Sequence, residues 1–397
     1  MAQPQTAFEE RNLNGAWTSF AEESDYLGRL LNEVPGVTKE VVGHGHTGLD
    51  INLLKVGTGS RTFFAIAQIH GDEVSGRDAL LSFIRDLALS EEPWILDYLS
   101  KVSVVVIPTS RPESMTQRNP PSGVSINVDN FELFLPETQA IQTAATKYSP
   151  EVSLDLHEDA GNLPPADYGT APCGVHSNVH PSISDLSWEL DGAVRQTVEG
   201  LGYSWVEYKQ NGKYLTRGQL TSNSYGLRHS VGLLMESRRD RTPNNYVETE
   251  RRFRTQYDSI MTAIRWHHQN LNRVQTAVEE SKARTSEKLD VFYLDTNDAP
   301  SPVLTSPPTS YILKEDDIEA YNQHAEFLGL PSTEDGEVST TNDGANILHY
   351  ILNPLSGQKL FNASSYGEDI FRSIKPTRPE AYVRYNGELT PAYFSKR

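Results

Sequence analysis

The chain has 397 residues, 37% of them hydrophobic, which is enough for two domains or for one large domain with an extension around a substantial core. Its formal net charge of −18 repels phosphate backbones, so no nucleic-acid partner is expected, and no stretch approaches the roughly 18 apolar residues of a membrane span. The single cysteine, Cys173, excludes an intramolecular disulfide and a Cys-rich zinc site, so any metal must be held by His and carboxylate.

Residues 1–16 read as an N-terminal tail. They carry acids and no apolar signal-like segment, so a cytoplasmic location is expected. "SFAEESDYLGRLLNEVPG" predicts a helix capped by Ser19, with Phe20, Leu27, Leu30 and Leu31 along one face. "TKEVVGH" and "LDINLLKVG" predict a hairpin joined by a Gly-rich turn. "RTFFAIAQI" is a continuous apolar run, as a strand covered on both faces requires. An amphipathic helix, "GRDALLSFIRDLAL", a buried strand, "VSVVVIP", and a long polar loop follow. Then come a helix opened by Pro136, a third buried strand in "EVSLDLHE", the helix "DLSWELDGAVRQTVEGLG", and a fourth strand in "VGLLMES". "VETERRFRTQYDSIMTAIRWHHQNL" closes the unit near Asn272. Alternating strands and helices predict an α/β fold, a mostly parallel mixed sheet flanked by helices. The unit spans 17–272, and 273–397 forms a small C-terminal extension or accessory domain.

In open α/β sheets, function gathers at the carboxyl ends of the strands. Three buried strands here end on candidate residues: His70 and Glu73 after the first, His157 on the third, Glu236 on the fourth. Two imidazoles and one carboxylate make a zinc shell with a position left for water. A further carboxylate nearby can take a proton from that water and pass it to a leaving group. Each residue alone is unremarkable in such a place; their joint placement on separate strands is what points to chemistry.

These motifs resemble the zinc carboxypeptidases of the M14 type over about residues 17–272. The likeness takes in "VVGHGHTGLDINLLKVG", "QIHGDE", "NPPSGVSIN" followed by "LPETQAI", and "LDLHE". It implies that His70, Glu73 and His157 bind one Zn2+ ion and that Glu236 is the general base and acid. The resemblance also implies an arginine that polarises the scissile carbonyl: Arg118 in "TQRNPP" is the first candidate and Arg111 the alternative. Asn127 matches a substrate-binding asparagine, and Tyr214 is preferred to Tyr225 as the substrate-contacting tyrosine. Asp155 lies where it can orient a metal-bound imidazole.

One position departs. The family has Asn-Arg where "INVDNF" places Asn127 and Val128, and valine cannot grip a terminal carboxylate as an arginine fork does. Either Arg217, Arg228 or Arg238 takes over, or the substrate has no free carboxylate. Three readings follow: a zinc carboxypeptidase cleaving a peptide bond; a zinc amidase or deacylase acting on N-acyl amino acids or peptidoglycan stem peptides; and a non-catalytic binding module on the same fold, against which the complete ligand set and Glu236 argue. Oligomeric state is left open. The remaining histidines take plain readings: His44 and His46 in the hairpin turn, His176 and His180 on a surface loop, His267 and His268 near a helix end. "ESRRDR", with Arg238, Arg239 and Arg241, reads as a solvated turn, and Cys173 has no base beside it.

Overall fold

The four buried strands of the sequence lie side by side, connected by helices, at the centre of one eight-stranded mixed sheet. The computed structural model describes residues 3–163, 165–239, 248–286, 291–293, 303–305 and 307–353, with short pieces beyond (356, 360–361, 363–365, 382–385 and 388–391).

Helix α1 (Ala7–Glu10) and helix α2 (Phe20–Glu33) each open on a capping box, from Thr6 with Glu9 and from Ser19 with Glu22. Residues 3–16, expected as a tail, instead pack on the body. Phe8 is buried and stacks on Trp17 with ring centroids 4.2 Å apart, so one aromatic pair holds down a segment whose composition looks loose.

The strands β1 (Thr38–His44) and β2 (Asp50–Val56) form the expected antiparallel hairpin at the sheet edge. β3 (Arg61–Ala67) and β4 (Val102–Ile107) are parallel, joined by α3 (Ser75–Leu89) and α4 (Pro93–Lys101). The sequence reading passes over α4, although Pro93 in its first turn is a start signal. Helix α5 (Pro136–Tyr148) leads to β5 (Val152–Asp159). The short strands β6 (Tyr168–Pro172) and β7 (Trp205–Glu207), too brief for a periodic signal, flank α6 (Pro181–Gly200). Then come α7 (Thr221–Leu227), β8 (Val231–Arg238) and α8 (Thr249–Lys282). Helix α8 runs past Asn272, the expected end of the unit, so His267 and His268 lie within it rather than at its terminus. His267 is buried against the Tyr98 hydroxyl, 2.9 Å from its Nδ1.

The strand order is β1-β2-β4-β3-β5-β8-β6-β7. The pairs β4/β3, β3/β5, β5/β8 and β6/β7 are parallel, and the others antiparallel. The chain leaves β3 toward β4 on one side and returns with β5 on the other. A crevice therefore opens at the carboxyl ends of β3 and β5, the switch point where such sheets place their sites.

Beyond α8, β9 (Val291–Tyr293) pairs with β10 (Val303–Thr305). β11 (Ser310–Leu313) lies between β12 (Glu337–Ser339) and β13 (Ala363–Ser365), with α9 (Ile318–Leu328) and α10 (Ala345–Leu352) alongside. This segment shares the main core: Tyr350 stacks on Phe131 at 5.3 Å, and Asn346 Nδ2 donates to the Leu227 carbonyl (3.0 Å). Among the described residues no helix is long and apolar enough to cross a membrane.

Candidate metal centre and active site

β3 stops at Ala67 because Gln68 takes a left-handed conformation (φ +53°), which turns the chain out of the sheet. The Gln68 side chain braces the turn by donating to the Gly71 carbonyl (2.9 Å). Gly71 has no substitute: a Cβ there would overlap the carbonyl oxygens of Ser114 and Gln117 and the Arg111 guanidinium. The Gly71 amide donates to the Arg118 carbonyl (3.2 Å), so the loop after β4 lies directly on the loop after β3.

Glu73 follows one turn on and is held from beneath by β5. The Glu158 carboxylate accepts from the Val74 amide (2.7 Å) and the Ser75 amide (3.3 Å) at the start of α3, and pairs with Arg252 of α8 (2.6 Å). Successive strand residues face opposite ways, so while Glu158 anchors α3, its neighbour His157 faces the crevice. Sequence reading missed Glu158, since an acid at a strand end carries no distinguishing signal.

His70, Glu73 and His157 are buried, and one ligand atom from each lies within 4.8 Å of the others. His157 Nδ1 is 2.8 Å from Glu73 Oε2, which also accepts from the Glu158 amide (3.1 Å). Asp155 sits behind His157, with Oδ1 3.0 Å from Nε2 but outside hydrogen-bond geometry. His70 Nδ1 is buried with no partner at all. A buried imidazole nitrogen left unpaired beside a carboxylate and a second imidazole is the arrangement a divalent cation completes, and two nitrogens with one carboxylate suit zinc.

Electrostatics agree. Burial drives His70 down to about 3, into the neutral form a ligand needs. Burial alone would raise Glu73, but the two imidazoles and Arg118 outweigh it and hold the carboxyl well below its usual range. His157 behaves differently: Asp155 and Glu73 outweigh burial and push it well above the ordinary value, so a metal would have to displace its proton to bind there.

Glu236 stands beside His157 in the parallel β5/β8 register, so both side chains share a face. It is buried, its Oε2 has no partner, and burial together with Glu73 and Asp159 raises its pKa well above normal against the pull of His157 and Arg118. Arg118 pairs through Nη1 with Glu73 and is half exposed.

A cavity opens here, lined by Arg118, Asn127, His157, Glu236, Ser222 and Asn223, with Leu215, Leu220 and Leu234 on an apolar wall. Asn127 Oδ1 accepts from the Thr221 amide (3.2 Å). Tyr208, which sequence reading missed, also lines the cavity and donates to Asp159 (2.7 Å). Tyr214 is not in the lining; its ring lies edge-on to Trp188 at 5.9 Å under Lys209. Tyr225 is buried edge-on to Phe64. Arg111, the alternative candidate for the carbonyl, is buried behind Gly71 and donates to the Gln117 carbonyl. Arg228 binds Gln142 and Thr146 on α5, and Arg238 binds Asp167 and Glu248; neither lines the cavity, nor does Arg217. Among its described lining residues Arg118 carries the one guanidinium. Arg239 pairs with Asp72 (2.7 Å), and Arg241 lies outside the described residues. His176, expected on the surface, is buried: Nδ1 accepts from the Asn178 amide (3.0 Å), Nε2 lies 3.0 Å from the Tyr350 hydroxyl, and burial lowers it to about 4.

The fold and this cluster define a class first: an α/β protein of the metallocarboxypeptidase fold, with three candidate metal ligands at the switch point of its sheet. Comparison with known proteins then places the chain beside the zinc carboxypeptidases, whose family sequence model matches residues 24–113, including His70 and Glu73. A "probable carboxypeptidase 2" of Arthroderma benhamiae is 28% identical over 191 residues, 43% of this chain and 36% of that protein. Carboxypeptidase 2 of Trichophyton equinum is 25% identical over 249 residues, 57% of this chain and 46% of that protein. The chain thus spans less than half the length of these relatives. In three dimensions, a metallo-carboxypeptidase from Pseudomonas aeruginosa superposes with a TM-score of 0.53 at 16% identity, covering 64% of this chain and 69% of the other. The fold and the family resemblance read from the sequence are both borne out.

Proposed function

We propose that the protein hydrolyses a peptide bond as a zinc metallocarboxypeptidase. The observation that carries this is the convergence of His70, Glu73 and His157 on one point, with Glu236 beside His157 on the neighbouring strand. His70, Glu73 and His157 would hold the zinc, which when bound polarises a carbonyl and lowers the pKa of water. The chain's own groups do the rest. Glu236 accepts a proton from the attacking water and returns it to the leaving amine. Its raised pKa suits it to hold that proton between the two steps. Arg118 stabilises charge developing on the carbonyl oxygen. Asn127, Asn223 and Ser222 offer neutral polar contacts, and the leucine wall excludes water.

A second reading is an amidase on the same machinery, favoured by Val128 and by a cavity lining with no second guanidinium. N-acyl amino acids and peptidoglycan stem peptides are its candidate substrates. Turnover of a peptide series with free and amidated C-termini separates the two. A preference of tenfold or more for the free acid supports the carboxypeptidase; equal turnover supports the amidase.

A further inference from the structure

The turn between β1 and β2 brings His46 against two glutamates that the hydrolytic site does not use. Glu113 comes from the loop after β4, five residues before Arg118, and Glu137 from the first turn of α5. The Glu113 and Glu137 side chains are 5% and 0% exposed. One ligand atom from each of the three residues lies within 4.8 Å of the others.

The turn is shaped for this meeting. A Cβ on Gly45 would overlap the Glu113 carboxylate where it now lies, so the glycine leaves room for that carboxylate against the turn. The His46 amide donates to Glu137 Oε1 (2.9 Å), and Nδ1 of its ring lies 2.8 Å from the same oxygen. Nδ1 is 3.5 Å from Glu113 Oε1. Oxygen Oε2 of Glu137 and both oxygens of Glu113 are buried without a hydrogen bond. One imidazole N–H serves one acceptor, so it cannot satisfy this set. The Thr47 amide leans toward Glu113 without reaching hydrogen-bond geometry. Arg111 is close enough to feel both carboxylates, yet it makes no ion pair with either within 4.0 Å and donates instead to the Gln117 carbonyl. Two buried carboxylates side by side that share a single imidazole are costly.

We propose that His46, Glu113 and Glu137 form a second divalent-cation site that ties the β1–β2 turn to the loop carrying Arg118 and Asn127. One imidazole and two carboxylates match zinc rather than calcium, which takes oxygen ligands alone. The His46 side chain is 26% exposed, which gives an ion and its remaining water ligands a way in. The role is structural: the ion fixes where the substrate loop runs into α5's first turn.

Zinc per chain decides the matter, measured by elemental mass spectrometry on the 397-residue chain dialysed first against zinc and then against metal-free buffer. The proposal expects two zinc ions in wild type, one in His46→Ala and in Glu113→Gln, one in His70→Ala, and none in His46→Ala/His70→Ala. Zinc should raise the melting temperature of His70→Ala and leave that of the double variant unmoved. One zinc in wild type that His70→Ala removes would overturn the second site while leaving the hydrolytic centre standing. Two zincs that His46→Ala and Glu113→Gln both leave in place would overturn it as well. Zinc unaffected by His70→Ala but lost in His46→Ala would instead overturn the hydrolytic centre and support this site.

Discussion

His157 of the candidate centre depends on a neighbour that points the other way. His157 faces the crevice because Glu158, on the opposite face of β5, is spent on the start of α3 and on Arg252. Asp155, two residues back and on the same face as His157, aims at its far nitrogen. Asp155→Asn keeps the shape and removes the charge that favours a correctly oriented imidazole. The expected outcome is a loss of zinc affinity of about 10- to 100-fold, with the fold intact, measured by competition with a chromophoric chelator. An affinity equal to wild type would assign Asp155 to packing alone. The same scale explains why the ligands were legible in the sequence and their supports were not. His-x-x-Glu after an apolar run is a compact local signal, whereas Glu158, Tyr208 and Glu137 acquire meaning only from residues far away in the chain. Tyr208 is a case in point: Tyr214 lies in the expected loop with its ring against Trp188 and Lys209, while Tyr208, which carries no local signal, occupies the lining.

Between elements, the decisive contact is the loop after β4 resting on the loop after β3. Gly71→Ala forces the carbonyls of Ser114 and Gln117 away and shifts the anchor of Arg118 with them. We expect a stability loss of about 2–3 kcal/mol in urea unfolding, accompanied by a fall in turnover. A variant as stable and active as wild type would mean that the two loops are not packed as described. The long elements of this layer were readable because burial on both faces of β3, β4, β5 and β8 writes continuous apolar runs. The elements missed lacked such runs: β6 and β7 have five and three residues. Helix α4 is nine residues long and runs straight into β4, so its apolar residues merge with the strand's.

At the scale of the whole molecule, the segment after α8 is joined to the site side of the sheet rather than trailing from it. Tyr350 of α10 stacks on Phe131, three residues beyond Val128, and its hydroxyl meets His176. Composition could not reveal this, because the partners are more than 170 residues apart. Tyr350→Ala should cost about 3–5 kcal/mol in equilibrium unfolding; a cost below 1 kcal/mol would show that the two parts are stable independently. The central claim, however, concerns one carboxylate beside one metal centre. Its most direct test is Glu236→Gln, read for zinc content and for turnover of a peptide that the wild type cleaves. The account predicts wild-type zinc and a turnover lower by about 10²- to 10⁴-fold. A variant that keeps both its zinc and its turnover would contradict it.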